Sequence, residues 1–373
     1  MKKKKSKLHL AQEKAQAAIN ETNRKIENLG WHSNELSIRL NEIQGQFDKI
    51  RNVPTEKKIE CEKLKKIRLT WKQQAEKIED DYKTATAKSA GAGVAGLGAG
   101  VAVAALGPTA AMGVATTFGV ASTGTAISAL SGAAATNAAL AWLGGGALAL
   151  GGGGMAAGEA FLALAGPAGW AIAGVSLAAS GIAVLKSKSD KKCLDNIYVS
   201  ISERDSKSYE LAIVELNERI SRIDNELQLL KSATEKIKGF GTDYSAMAEA
   251  KQYELGSYVN LMNSSTQLLV NPILGLQPKF SEVDLDGYML SVQPKDDKAE
   301  SVKYRTLIVS IANLLYKIEL DKKDKQLLYK SFKKNKKMLE SVGLTKHDLR
   351  IEIIDVVEEA LNYKYMKVAK QNK

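Results

Sequence analysis

Apolar residues recur at helical spacing in two parts of the chain, one on each side of a long segment almost free of charge. On the N-terminal side they alternate four and three residues apart, at Leu36, Leu40, Ile43, Phe47 and Ile50. Pro54 interrupts this pattern, because proline cannot continue a helix without the loss of a hydrogen bond. A second set follows at Leu64, Ile67, Trp71, Ile78 and Tyr82. The third set lies beyond the uncharged segment, at Leu216, Ile220, Ile223, Leu227, Leu230 and Ile237. We therefore expect three helical arms that pair lengthwise in an antiparallel coiled coil.

The segment between the arms, residues 89–185, carries one charged side chain, Glu159, and holds 22 of the 30 glycines. A helix needs about 20 apolar residues to cross a bilayer core, so the segment has room for up to four crossings. Its glycines and prolines delimit four expected helices, 90–106, 109–130, 133–150 and 155–185, the last kinked or split at Pro167. Thr, Ser and Gly weaken its hydrophobicity. We therefore expect conditional insertion, with the segment buried against the protein's own helices beforehand.

Small residues four positions apart let helix backbones approach closely, which is the main source of helix association in lipid. Two such glycine pairs and two tryptophans are the predicted packing and insertion residues of the apolar segment: Gly96, Gly100, Gly154, Gly158, Trp142 and Trp170. For Glu159 two interpretations stay open. A carboxylate inside an apolar span often lines an aqueous path, but this one also follows a run of glycines and fits a turn.

Lysines flank both ends of the apolar segment, with Lys88 before it and Lys186 after it. Because basic flanks tend to stay on one side of a membrane, we expect an even number of crossings. The whole chain is predicted to be all-α, in five parts: N-terminal arms at 1–88, the apolar segment at 89–185, returning helices at 186–272, a linker at 273–300 and a basic helical bundle at 301–373. Within the linker, Asp284 to Gly287 predicts a plain turn, since no glutamate follows at calcium-loop spacing.

The chain lacks the sequence patterns of an enzyme. It has no phosphate-binding glycine loop, metal-ligand cluster or nucleophile elbow. Cys61 and Cys193 lie far apart, without the spacing of a zinc or redox pair. The three histidines, His9, His32 and His347, lie in ordinary amphipathic context, and those of the arms, His9 and His32, are expected to be solvated. We predict a protein that is not an enzyme and that needs no cofactor or metal.

The net charge of +11 is concentrated at the two ends of the chain, with about +8 over residues 1–88 and about +8 over 301–373. Basic ends attract nucleic acid or an anionic membrane surface. Nucleic-acid binding would leave the apolar segment unexplained, so we take a lipid bilayer as the partner. For the stretch Lys333 to Lys337, lipid headgroups, nucleic acid, a protein partner and a solvated helix face all stay open. After its basic start the chain turns polar beyond Leu8, so we expect synthesis in the cytoplasm without a signal peptide.

An apolar insert from Gly91 to Leu185 between heptad arms resembles the architecture of the bacterial α-helical pore-forming toxins of the cytolysin A type and their two-component relatives. The resemblance covers roughly residues 8–238 and transfers no functional residue. It implies a soluble form that hides the insert, then opens, inserts it and oligomerises. A second toxin component, or an immunity or trigger protein, is an implied partner. The chain differs in its longer insert, a short first arm that Pro54 breaks, and its basic C-terminal region.

These features together predict a membrane-permeabilising protein that forms a homo-oligomer. Its target is a foreign membrane or the producer's own inner membrane. The alternative is a constitutive membrane-anchored coiled-coil scaffold, which would bind a bilayer without making it leak.

Overall fold

The structure, a computed structural model, describes residues 6–90, 108–119, 187–276, 279–292, 298–334, 339 and 344–371. These residues form an all-α fold, as the sequence predicts. The helices are α1 (Lys7–Phe47), α2 (Thr55–Ala90), α3 (Pro108–Phe118), α4 (Lys188–Lys238), α5 (Glu249–Val270), α6 (Glu282–Ser291), α7 (Lys298–Leu315), α8 (Lys322–Lys334) and α9 (Glu352–Gln371). Two short 3-10 turns, Tyr244–Ala246 and Leu274–Leu276, lie on either side of α5.

Helices α1, α2, α4 and α5 form a bundle around a first apolar core, and α3 packs within it. The predicted apolar positions that are buried in this core are Leu36, Leu40, Ile43, Phe47, Ile50, Leu64, Ile67, Trp71, Ile78, Leu216, Ile220, Ile223, Leu230 and Ile237. Leu227 is partly buried, and the side chain of Tyr82 lies outside the described part. The expectation of a short first arm is wrong, because α1 already begins at Lys7, where the Ser6 hydroxyl caps it, and runs for 41 residues.

The direction of the returning arm differs from the predicted antiparallel pairing. Three contacts along α1 and α4 follow the same order in both helices: Lys14 with Glu210 at 2.9 Å, His32 with Asp224 at 3.2 Å, and the Arg51 N–H with the Thr242 carbonyl at 2.8 Å. The two helices are therefore parallel. Antiparallel pairs occur within the hairpins α1/α2 and α4/α5 instead. An apolar stripe packs in either direction, so its periodicity does not determine helix direction.

A second core joins the C-terminal helices α6 to α9 to the beginning of α4. Leu194, Tyr198 and Ile201 of α4 are buried in it, as is Leu8 of α1. The predicted C-terminal bundle therefore packs against the first turns of α4, which contribute side chains to its core. Because α4 enters both cores, it links the two halves of the fold.

The region predicted as a linker, 273–300, contains a helix, α6. The Ser281 hydroxyl accepts a hydrogen bond from the Asp284 N–H, and the Asp284 carboxylate accepts one from the Ser281 N–H. This reciprocal capping box starts a helix where we predicted a turn. Leu285 and Tyr288 then bury the inner face of α6. Pro278 and Pro294 favoured a linker, although a serine three residues before an acidic residue is a helix-start signal.

The isolated cysteines and histidines lie in different environments. Cys61 and Cys193 are both free thiols. Burial raises the pKa of Cys61 to about 12, so this thiol is unreactive at neutral pH.

The histidines of α1 differ in exposure. His9 is half exposed beside Glu13, as expected. The expectation that His32 is solvated is wrong, because its side chain is 12% exposed and contacts both α1 and α4.

Asn313 ties α7 to the loop before α6. Its side chain is fully buried and exchanges two hydrogen bonds of 2.7 Å with the backbone N–H and carbonyl of Phe280. Replacement of Asn313 by alanine would leave both backbone groups buried without these partners. We expect a loss of about 3 kcal/mol in the free energy of unfolding. Urea denaturation measures this loss. The control is Asn225→Ala, at an exposed position of α4, which should change the free energy of unfolding by less than about 0.5 kcal/mol.

Candidate functional site

Helix α3 is the described part of the apolar segment, and it lies inside the first core. Pro108 is its first residue, a position where the missing N–H of proline costs nothing. Gly119 ends it in the left-handed region, at φ +77°, with its N–H bonded to the Ala115 carbonyl. The predicted helix 109–130 is therefore wrong in its extent, because the helix ends at Phe118. Glycine at 119 explains the end, since an L side chain rarely adopts that backbone conformation.

The surfaces of α1, α2 and α5 that contact α3, here called the cradle, enclose it on nearly every side. Ala111, Val114, Ala115 and Phe118 belong to the first core, and Thr116 and Thr117 are fully buried as well. A helix buried around its whole circumference belongs to a protein interior. The expectation that the apolar segment is buried against the protein's own helices therefore holds for the part that the structure describes.

Helix α3 crosses α1 at a very short distance through two glycines. A Cβ atom built on Gly30 would lie 1.7 Å from the carbonyl oxygen of Thr109, and one built on Gly113 would lie 2.0 Å from that of Ile26. Both collisions are with backbone atoms, so no side-chain rotation relieves them. Only glycine fits at either position. The two backbones lie in direct contact at this crossing.

A polar layer holds α3 at its centre. The indole N–H of Trp71 donates to the Thr116 hydroxyl at 3.2 Å, and that hydroxyl donates to the Ser33 oxygen at 3.0 Å. All three side chains are fully buried. Trp71 of α2, Thr116 of α3 and Ser33 of α1 therefore form one chain of hydrogen bonds across three helices. Buried hydrogen bonds fix register, because breaking one leaves an unpaired polar group in the core.

The end of α3 is attached to the loop that follows α5. The Ile273 N–H donates to the Thr117 carbonyl at 2.8 Å, and the Gln74 amide donates to the Gly119 carbonyl at 3.4 Å. A Cβ on Gly119 would lie 2.6 Å from the Val270 carbonyl oxygen. The two hydrogen bonds supply donors to carbonyls at the helix end that would otherwise be unpaired.

A buried arginine lies one turn of α2 away from Trp71. Arg68 is 3% exposed and donates to Gln44 of α1 at 3.0 Å and to Thr266 of α5 at 3.3 Å. Both acceptors are neutral, and its Nε atom has no hydrogen-bond partner within the described part of the chain. Burial lowers the pKa of Arg68 to about 10, so the guanidinium stays charged at neutral pH. A buried cation with neutral partners destabilises the closed bundle.

The sequence identified Trp71 only as an apolar helix position and did not identify the other residues that form this site. No sequence pattern marks Ser33 or Arg68 as part of a site. For Gly30 and Gly113 the one available sign of a close contact is that each is an isolated glycine inside a helical pattern. The predicted packing and insertion residues, Gly96, Gly100, Gly154, Gly158, Trp142 and Trp170, lie outside the described residues, as does Glu159. They stay predictions.

Within the described ranges, no helix combines the length and hydropathy that a membrane crossing requires. The same ranges hold no group of three or more His, Cys, Asp or Glu side chains placed to bind a metal ion. Comparison of the chain with protein-family models, with curated proteins and with solved structures gave no match, so the cradle and the sequence are the basis for assigning a function.

Proposed function

We propose that the protein permeabilises membranes by releasing its apolar segment, residues 89–185, from the cradle into a bilayer. The observation that carries this proposal is the docking of α3, part of that segment, between α1, α2 and α5. Helix α3 is only weakly apolar, since its 11 residues include three threonines, a glycine and a proline. Close packing and hydrogen bonds hold such a helix in place more than the burial of apolar surface does. Both kinds of contact are lost together when the helix moves.

Two features of the cradle make release an abrupt step. The buried charge of Arg68 lowers the stability of the closed bundle, and the Gly30–Gly113 crossing depends on direct backbone contact, which any separation of α1 from α3 would remove. A small opening between α1 and α2 would therefore break the polar layer and the crossing at once. Packed interfaces of this kind have two discrete arrangements rather than a continuous range.

Helix α3 alone cannot span a bilayer. Eleven residues at 1.5 Å each give about 16 Å, roughly half the thickness of a hydrocarbon core. Insertion thus requires the uncharged residues on either side of it in the sequence. The C-terminal end of α2 and the N-terminal end of α4 point toward the same end of the bundle, because α2 is antiparallel to α1 and α4 is parallel to it. That arrangement is compatible with an even number of crossings.

A disulfide across the polar layer tests the proposal. The oxygens of Ser33 and Thr116 lie 3.0 Å apart, so cysteines at both positions would place two sulfurs within bonding reach. The variant Ser33→Cys/Thr116→Cys is made in a chain with Cys61→Ser and Cys193→Ser, which removes the two native thiols. We expect no dye release from liposomes when the disulfide is formed, and release after reduction.

The single variant Ser33→Cys in the same background is the control, and its release should not depend on the redox state. Equal release from the oxidised and reduced double variant would contradict the proposal. Tight liposome binding without dye release in either state would favour the anchored scaffold instead.

A further inference from the structure

Two lysine-rich helix beginnings lie side by side at one end of the molecule. Helix α8 runs parallel to the start of α4, through contacts of Lys323 with Asp190 at 3.1 Å, Asp324 with Cys193 at 3.0 Å and Ser331 with Tyr198 at 3.1 Å. Over residues 188–195 and 321–334 the chain has nine lysines and four aspartates. The juxtaposition of α4 and α8 thus gathers positive charge that is 130 residues apart in the sequence.

Several of these lysines are paired. Lys323 binds Asp190, and Lys325 binds both Asp355 and Glu358. Of the exposed lysines that have no carboxylate partner among the described residues, three lie in the first two turns of α4 and α8: Lys188, Lys192 and Lys322. We call these three residues the basic end.

Stabilisation of α4 and α8 does not explain why these three lysines lie where they do. Lys188 and Lys322 are the first residues of their helices, and Lys192 follows one turn later. Cations in a first turn oppose the helix dipole and destabilise the helix, whereas acidic residues there stabilise it. Asp190 and Asp324 supply that favourable charge in the same turns. The unpaired lysines therefore point to an anionic partner outside the chain.

The apolar segment identifies the kind of anion. It leads directly through Lys186 and Ser187 into the first turn of α4, so the basic end follows the uncharged residues within three positions. We propose that the basic end binds the headgroups of anionic lipids and directs the protein to bilayers that contain them. This inference rests on the proposed membrane function and adds the class of lipid that is recognised.

Vesicle flotation tests the basic end with the full chain. The variant Lys188→Gln/Lys192→Gln/Lys322→Gln is compared with wild type on vesicles of phosphatidylcholine alone and of phosphatidylcholine with an equal amount of phosphatidylserine. A lysine near an anionic surface strengthens binding about fivefold, so three should account for about a hundredfold. We expect the variant to lose about that factor on the anionic vesicles and to change little on the neutral ones.

The matched control is Lys58→Gln/Lys63→Gln/Lys66→Gln. These lysines are also exposed, and they lie at the start of α2, which contacts Tyr244 beyond the opposite end of α4. The control removes the same charge and should bind anionic vesicles like wild type. Equal weakening by both triple variants would overturn the inference, because net charge rather than the basic end would then govern binding.

Two further outcomes separate this inference from the proposed function. Charge-dependent vesicle binding without dye release would support the basic end and count against permeabilisation. Dye release from the anionic vesicles that the basic-end variant retains in full would support permeabilisation and overturn the inference. Unchanged vesicle binding together with a loss of binding to duplex DNA would also overturn it, in favour of a nucleic-acid surface.

Discussion

Replacement of Gly30 by alanine is expected to expel α3 from the cradle. The added methyl group would meet the Thr109 carbonyl oxygen at 1.7 Å, and a backbone oxygen cannot rotate away. Overpacking costs up to about 3 kcal/mol in most cores, and a collision with backbone lies at the high end of that range when the helix stays docked. We therefore expect the variant to unfold at lower urea concentration, to bind more of a fluorescent apolar dye, and to release liposome contents faster than wild type.

Gly45→Ala is the matched control for Gly30. Gly45 lies on the same helix, and a Cβ built there has no neighbour within 4 Å. Because alanine is the better helix former, the control should gain about 0.5–1 kcal/mol. If Gly30→Ala were as stable as wild type, the close crossing of α1 and α3 would be wrong. If it were destabilised without faster release, α3 would be a core element that takes no part in permeabilisation.

Removal of the buried charge at Arg68 is expected to stabilise the closed form. Methionine at 68 would leave the Gln44 side-chain oxygen without the guanidinium, so Gln44 is replaced by leucine in the same variant. Thr266 keeps a partner, because its hydroxyl also donates to the Met262 carbonyl. Exchange of a buried ionic group for apolar residues of similar volume often gains about 1–4 kcal/mol. The urea midpoint should rise and dye release should become slower.

Lys66→Met serves as the control for Arg68. Lys66 lies on the same helix but is exposed, so the free energy of unfolding of this variant should stay within about 0.5 kcal/mol of wild type. A fall in stability of the Arg68→Met/Gln44→Leu variant would show that the guanidinium is a net stabilising group. A rise in stability with unchanged release would mean that opening of the cradle does not limit permeabilisation.

The apolar periodicity predicted the long helices and their buried faces well. Every heptad position named from Leu36 to Ile50 is buried, and so are Leu64 to Ile78 in α2, because a 3.6-residue repeat depends only on local geometry. The all-α class followed from the same signal. These features are local, and local sequence determines them.

The arrangement of the helices and the site required information that periodicity lacks. Parallel and antiparallel packing of α1 against α4 bury the same residues, so only contacts such as His32 with Asp224 distinguish them. Likewise Gly30 fits a flexible position or a close crossing equally well until the partner helix is known. The Ser33, Trp71 and Thr116 layer joins three distant parts of the chain, and no spacing rule connects them.

Helix α4 also determines how far the docked segment lies from the basic end. Helix α3 contacts α1 near Gly30 and Ser33, at the level where His32 meets Asp224, whereas the basic end begins at Lys188. At 1.5 Å per residue, α4 separates the two by about 50 Å. A bilayer bound at the basic end would thus face none of the cradle. The helix acts as a spacer, so under the proposed mechanism contact with lipid and departure of α3 would be two separate events.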